Sequence, residues 1–358
     1  MVIRSAMLSA FPVLYLWLPE IRDSGQLLSL NRASNRHFAN CLPFFWMAFP
    51  QCGLALKVVS NPPGMIASRS KCLQEDTTMK IATLNYEGAP RLGLLSDDEA
   101  LIHIAPSGWS YLETVLAGDR VSELADACRG SGLTIQTDQA ELLPVVTAPK
   151  RIVCIGRNYP KIHPVDGELP PPTDIGLFMK LPGVLIGHGA PLKKPSESDT
   201  YDYEGEITLI IGKKTGKLDP KDAWSVVAGI TAMNDGSVRG WQKHSVDAGK
   251  NFRQSGSLGP WMTTLDAMPQ PSGDWRILTK VNGEVAQDGP ASDMYFDIPT
   301  ILAYITSFTD LEPGDVISTG SPEGSGGGRT PQRFLKNGDE VAVTITGVGT
   351  LKNRVVAG

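Results

Sequence analysis

The stretch YDYEGEITLIIGK, residues 201–213, decides how the rest of the chain is read. Side chains alternate across a strand, so Ile207, Leu209 and Ile211 share one face while Glu204, Glu206 and Thr208 share the other. One face is apolar and the other carries two carboxylates. Like charges side by side repel unless water screens them or a cation sits between them. An isolated E-x-E is ordinarily the solvated side of an amphipathic strand. The residues downstream favour the cation.

Working outward, a chain of 358 residues has ample length to bury a core. Its 33 basic and 38 acidic residues give a net charge of −5 with no long run of either sign. That pattern argues against a nucleic-acid or anionic-membrane surface and leaves a small molecule as the expected partner. From residue 79 onward, short β-prone runs alternate with turns drawn from 37 glycines and 27 prolines. The fold class expected is mainly β, of the α+β kind.

Residues 1–78 lack this texture. The uncharged run Phe38 to Leu56 has the length of a membrane span, but Pro43, Pro50, Asn40, Gln51 and Gly53 interrupt it. Residues 6–18 have the length of a signal-peptide core, with only Arg4 before them and no small-x-small cleavage site after. We read 1–78 as a leader, either disordered or translated from upstream. The expected location is cytoplasmic, or mitochondrial if the leader is a targeting segment. Cys41, Cys52 and Cys72 fall in it, and Cys128 and Cys154 lack metal-type spacing.

Met79 opens the strand MKIATLNY, and residues 79–147 read as a small β-rich N-terminal domain with one or two short helices between 109 and 128. RIVCIGRNY then begins a domain spanning 148–358. Pro220 stands at a first-turn position ahead of the strand VAGITAMND, which delivers Asn234 and Asp235 at its end. Asn282-Gly283 predicts a two-residue hairpin, DIPTILAYITSF a helix, and NGDEVAVTITGVGTLKNRVV a last set of strands.

Glu204, Glu206 and Asp235 together offer three hard carboxylate oxygens, suited to Mg²⁺, Mn²⁺ or Ca²⁺ rather than zinc or copper. Around them stand YEGE (203–206), NDGSVRGWQ (234–242), GKNF (249–252), LGPW (258–261) and TGSPEG (319–324). In this order the five motifs resemble the fumarylacetoacetate hydrolase family. The resemblance implies a C-terminal mixed β-sandwich roll, a homodimer, and a bound Mg²⁺ or similar ion. By matching position it makes Glu204, Glu206 and Asp235 the metal ligands. It turns Lys250, Arg239 and Gln242 toward a 2-oxo or 1,3-dicarbonyl acid, and Thr319, at a strand end before a Gly-rich turn, is expected to offer its hydroxyl or N–H to the substrate carboxylate.

One family motif departs from pattern. Hydrolases of the family carry N-Y-x-x-H-x-x-E, whose histidine activates water. Here the run is Asn158-Tyr159-Pro160-Lys161-Ile162-His163-Pro164-Val165-Asp166-Gly167-Glu168, with His163 one residue late. A dyad would have to pair His163 with Asp166 or Glu168. The leading expectation is a metal-dependent hydrolase that cleaves a C–C bond in an acylpyruvate or fumarylpyruvate. The alternative is a 2-oxo acid decarboxylase, isomerase, hydratase or lyase, of the oxaloacetate decarboxylase or ureidoglycolate lyase type. Decarboxylation or tautomerisation of a metal-chelated 2-oxo acid needs no activated water, so a weak dyad favours this second group. A metal-binding homologue without turnover is the non-enzymatic reading.

Overall fold

The computed structural model describes residues 79–163, 167–270 and 272–358, and of residues 162, 163 and 167 only the backbone. The leader and Asp166 lie outside the described residues. The protein is mainly β, with four short α-helices among the described residues.

The strands that matter are, in chain order, β1 (Lys80–Tyr86), β2 (Ala89–Leu95), β3 (Leu101–Ile104), β4 (Thr134–Gln136), β5 (Ile152–Gly156), β6 (Gly176–Met179) and β7 (Gly205–Ile211). They continue with β8 (Val227–Asn234), β9 (Gly256–Thr264), β10 (Arg276–Val281), β11 (Glu284–Pro290), β12 (Val316–Ser318), β13 (Glu340–Ile345) and β14 (Gly349–Ala357). A 12-stranded sheet follows the path β4-β3-β2-β1-β9-β8-β7-β12-β5-β6. A five-stranded sheet joins Leu192–Lys194, β14, β13, β10 and β11.

Sequence period explains the layers. On β7, Ile207, Leu209 and Ile211 pack against Ile277, Val341, Val343 and Ile345 of the smaller sheet. The opposite face of β7 is also buried: Ile210 joins a second cluster with Met233, Met262, Val316, and Leu112 and Val115 of helix α1 (Leu112–Ala117). The solvated face expected for an amphipathic strand is therefore absent, because β7 is central, flanked by β8 and β12, and covered on both sides. Glu206 and Thr208 lie fully inside the protein.

The other local expectations hold where chain chemistry is strong. Asp219 caps the 3₁₀ turn Pro220–Val226 by accepting from Lys221 N, and β8 follows at once. Asn282 and Gly283, at φ 53° and 81°, make the two-residue turn between β10 and β11. Asp297 caps helix α4 (Ile298–Thr306) through Thr300 N. Residues 109–128 give two helices, α1 and α2 (Val121–Gly130), divided at Gly118.

Candidate metal and substrate site

Strand register assembles the carboxylates. β7 and β8 are antiparallel, with Gly205 opposite Asn234 and Glu206 opposite Met233. Asp235, just past β8, donates its N–H to Glu204 O at 2.8 Å and so stands beside Glu204 despite the sequence separation. β12 runs antiparallel to β7 and parallel to β5, so the ends of four central strands meet at one edge. Glu206 accepts from Ser318 Oγ at 2.5 Å and Gly320 N at 3.0 Å. Glycine is required between the two glutamates, since a Cβ on Gly205 would stand 2.1 Å from Thr279 Oγ1.

The oxygens of Glu204, Glu206 and Asp235 lie within 4.8 Å of one another, and all three residues are buried. Burying a carboxylate costs several kcal/mol unless a cation offsets it, and two of the three have cations. Lys250, last residue of helix α3 (Val246–Lys250), reaches Asp235 Oδ2 at 2.5 Å and also bonds Glu204 Oε2. Arg239 spans Glu204 Oε1 at 2.8 Å and Asp202 Oδ2 at 2.7 Å. Asp235 is paired on its other side too, with Lys180 Nζ 2.5 Å from Oδ1.

These contacts set the charge states. Burial pushes the Glu204 carboxyl up, but Arg239, Lys250 and Lys161 outweigh it and hold the group well below the usual range. Burial disfavours the Lys250 ammonium, yet Asp235 and Glu204 more than compensate, so its pKa rises and it stays protonated. Glu206 lacks such a partner: burial, then Asp235 and Glu204, push its carboxyl up to about 8. An all-oxygen set with one uncompensated buried carboxylate fits a divalent cation.

Beside the carboxylates lies a cavity of about 440 Å³, lined by Glu204, Glu206, Lys250, Arg239, Gln242, Phe178 and others. Gln242 sits on the turn Trp241–Lys243, its Oε1 3.4 Å from Arg239 Nη1. The structure thus brings six expected residues together: Glu204, Glu206, Asp235, Lys250, Arg239 and Gln242. Thr319 is placed differently. Its hydroxyl and its N–H both donate to Ile207 O, at 3.0 and 3.1 Å, and it does not line the cavity. His163 lies on a two-residue strand, Ile162–His163, that pairs with Gly167–Glu168, and Glu168 is exposed there. The Gly-rich segment after TGSPEG is tied down: Gly326 N and Gly327 N donate to Asp202 at 2.7 and 2.9 Å.

Two residues escaped the sequence reading. Lys180 is wholly buried and bonds Lys250 O at 2.6 Å as well as Asp235; its only signal was a lysine closing the apolar run GLFM. Ser321 lines the cavity, is 3% exposed, and among the described residues its hydroxyl has no partner. A buried unpaired hydroxyl is costly, and one facing a cavity is a donor available to a ligand.

Comparison with known proteins agrees with this architecture. The family described as fumarylacetoacetate (FAA) hydrolase, C-terminal, matches residues 151–356. Oxaloacetate tautomerase YisK of Bacillus subtilis is 32% identical over 302 residues, covering 77% of this chain and all of that protein. The mitochondrial oxaloacetate tautomerase fahd2 of Xenopus laevis is 31% identical over 318 residues, covering 86% of this chain and 99% of its own. Among solved structures, a fumarylacetoacetate hydrolase from Exiguobacterium antarcticum superposes with a TM-score of 0.68 at 30% identity, covering 78% of this chain and 100% of that one. Maleylpyruvate hydrolase from Sphingobium sp. SYK-6, in complex with manganese (II) ion and pyruvate, gives 0.65 at 25% identity with the same coverage. With its motifs, its fold and its carboxylate trio in agreement, the chain belongs to the fumarylacetoacetate hydrolase family.

Proposed function

We propose that the protein interconverts the keto and enol forms of a small 2-oxo dicarboxylic acid of the oxaloacetate type. The observation that carries the reading is the buried trio Glu204, Glu206 and Asp235 beside Lys250 at the edge of the cavity. These three residues would hold a divalent ion, which would supply Lewis-acid chemistry to the substrate carbonyl. Manganese has the support of the Sphingobium neighbour; Mg²⁺ and Ca²⁺ share its preference for oxygen.

The chain's own groups fit proton transfer at a carbonyl. Tautomerisation removes a proton from the carbon next to the ketone and places one on the ketone oxygen. Lys250, held protonated by its carboxylates, stabilises negative charge developing on that oxygen. Ser321 Oγ and Gln242 are donors for the carboxylate beside it, and Arg239 orients both Gln242 and Glu204. His163, with Asp166 or Glu168, is the proposed proton carrier. No water need be activated, which suits a histidine shifted from the family's hydrolytic position. The two tautomerases, aligned over essentially their whole lengths, support this alternative over C–C hydrolysis.

The homodimer belongs to the same proposal. Met179, Leu181 and Val246 are exposed apolar side chains, the last on the cavity wall, on segments joined by Met179 N to Asp247 Oδ1 and Leu181 N to Asn251 Oδ1. Among the described residues no helix is long and apolar enough to cross a membrane.

The test follows the ultraviolet absorbance of the oxaloacetate enol with Mn²⁺-loaded protein, with pyruvate release and fumarylpyruvate cleavage measured in parallel. Metal-dependent ketonisation without pyruvate release, lost in Glu206→Ala by more than about 100-fold, supports the tautomerase. Fumarylpyruvate cleavage alone would replace it with the hydrolase. Pyruvate release matching enol loss would replace it with a decarboxylase.

A further inference from the structure

Resting on the reading of this cavity as a 2-oxo acid site, we infer that Arg157 selects dicarboxylic substrates by binding the carboxylate remote from the metal trio.

The cavity wall carries four cations: Arg157, Lys161, Arg239 and Lys250. Three are already committed. Lys250 is bound to Glu204 and Asp235, Arg239 to Glu204 and Asp202, and Lys161 lies 3.9 Å from Glu204 Oε1. Arg157 is different. Its Nη2 donates to Pro170 O at 2.9 Å, and among the described residues no carboxylate pairs with it, including Asp174 on the same cavity wall. A guanidinium has five N–H donors in a fixed fork matched to a carboxylate. The contact to Pro170 O orients that fork and leaves most of it available.

The backbone gives an independent reason. Arg157 has φ 51°, a left-handed conformation that glycine adopts without strain and arginine does not. The next residue enforces it. Asn158 is buried, donates through Nδ2 to Thr319 O at 2.9 Å and Phe296 O at 3.0 Å, and accepts from Phe296 N at 2.8 Å. Its carbonyl accepts from Tyr295 N at 2.9 Å. A position held so firmly in the left-handed region favours glycine for stability alone. An arginine there, on the wall of the cavity, is strain retained at a functional position.

Calorimetric titration of the full-length, Mn²⁺-loaded protein separates the explanations. Lactate and malate share the 2-hydroxy carboxylate that chelates a metal, and only malate adds a second carboxylate. Arg157 is exposed, so wild-type protein should prefer malate by about 3- to 5-fold, the scale of an ion pair made by an exposed arginine. Arg157→Gln should abolish that preference while leaving lactate affinity unchanged, and Arg157→Lys should restore part of it. Arg157→Gly should lose the preference yet melt at or above the wild-type temperature, because it relieves the strain. An unchanged preference in Arg157→Gln, or equal weakening of both ligands, overturns the assignment. Wild-type protein that binds neither ligand sinks the assignment together with the site reading. Selective malate binding without keto–enol turnover would instead fault only the proposed reaction.

Discussion

Glu206 accepts hydrogen bonds from Ser318 and Gly320, but Lys250, Lys180 and Arg239 all pair with its neighbours. Its carboxyl is therefore raised from the ordinary 4.5 to about 8, so the folded protein holds this proton more tightly than the unfolded chain. The stabilisation this gives is full below about pH 4.5 and is lost as pH climbs through about 8. Cation binding requires the proton to leave. Chelator-treated protein should melt at progressively lower temperature between those limits, and the increase in melting temperature on adding Mn²⁺ should grow over the same window. Glu206→Gln should flatten the first trend and remove the second, as scanning calorimetry across that range would show. A Mn²⁺ shift of equal size at every pH would refute the account. The carboxylates were legible because strand alternation puts residues two apart on one face. Ser321 was not, because alternation ends where Gly320 turns the chain at φ 94°. Lys180 was illegible for another reason: its partner Asp235 is 55 residues away and meets it only through sheet order.

At the scale of elements, the hairpin of β10 and β11 was readable from Asn282-Gly283, but not its destination. The turn is a local property of two residues, whereas docking depends on which distant surface the strands cover. Gln287 of β11 marks that destination. It is 1% exposed, its Oε1 accepts from Gly205 N at 2.9 Å, and its Nε2 donates to Pro322 O at 2.8 Å. One side chain thus ties the backbone between Glu204 and Glu206 to the turn carrying Ser321. Groups that orient metal ligands are worth about 10- to 100-fold in affinity or activity. Gln287→Ala should lower Mn²⁺ affinity and kcat by about 10-fold or more while the far-ultraviolet spectrum is retained. Gln287→Glu should not rescue it, since a carboxylate can accept from Gly205 N but repels Pro322 O. Wild-type Mn²⁺ affinity in either variant would show that the turn and strand hold their positions without the amide.

At the scale of the molecule, the separation of residues 79–147 from 148–358 is a matter of cooperativity. The chain between Glu141–Leu142 and Ile152 has no regular strand or helix, as a boundary would require. Yet β1 pairs directly with β9, placing Lys80 opposite Thr263, so one sheet runs through both parts. Their core is shared as well: Ile81, Leu92, Leu112 and Val115 pack in the same cluster as Ile210, Met233, Leu258, Met262 and Val316. Large apolar side chains contribute about 1.5–3 kcal/mol each when fully buried. Uncovering those last five would consume a stability of about 5–15 kcal/mol, the usual total for a domain. We therefore expect hydrogen exchange in β1 and β9 to report the same opening free energy and to respond alike to denaturant, as one cooperative unit does. A fragment of residues 148–358 should be insoluble or bind hydrophobic dyes. If β1 exchanges at markedly lower cost than β9, or if that fragment melts cooperatively alone, the N-terminal part is an independent domain resting on a core already complete.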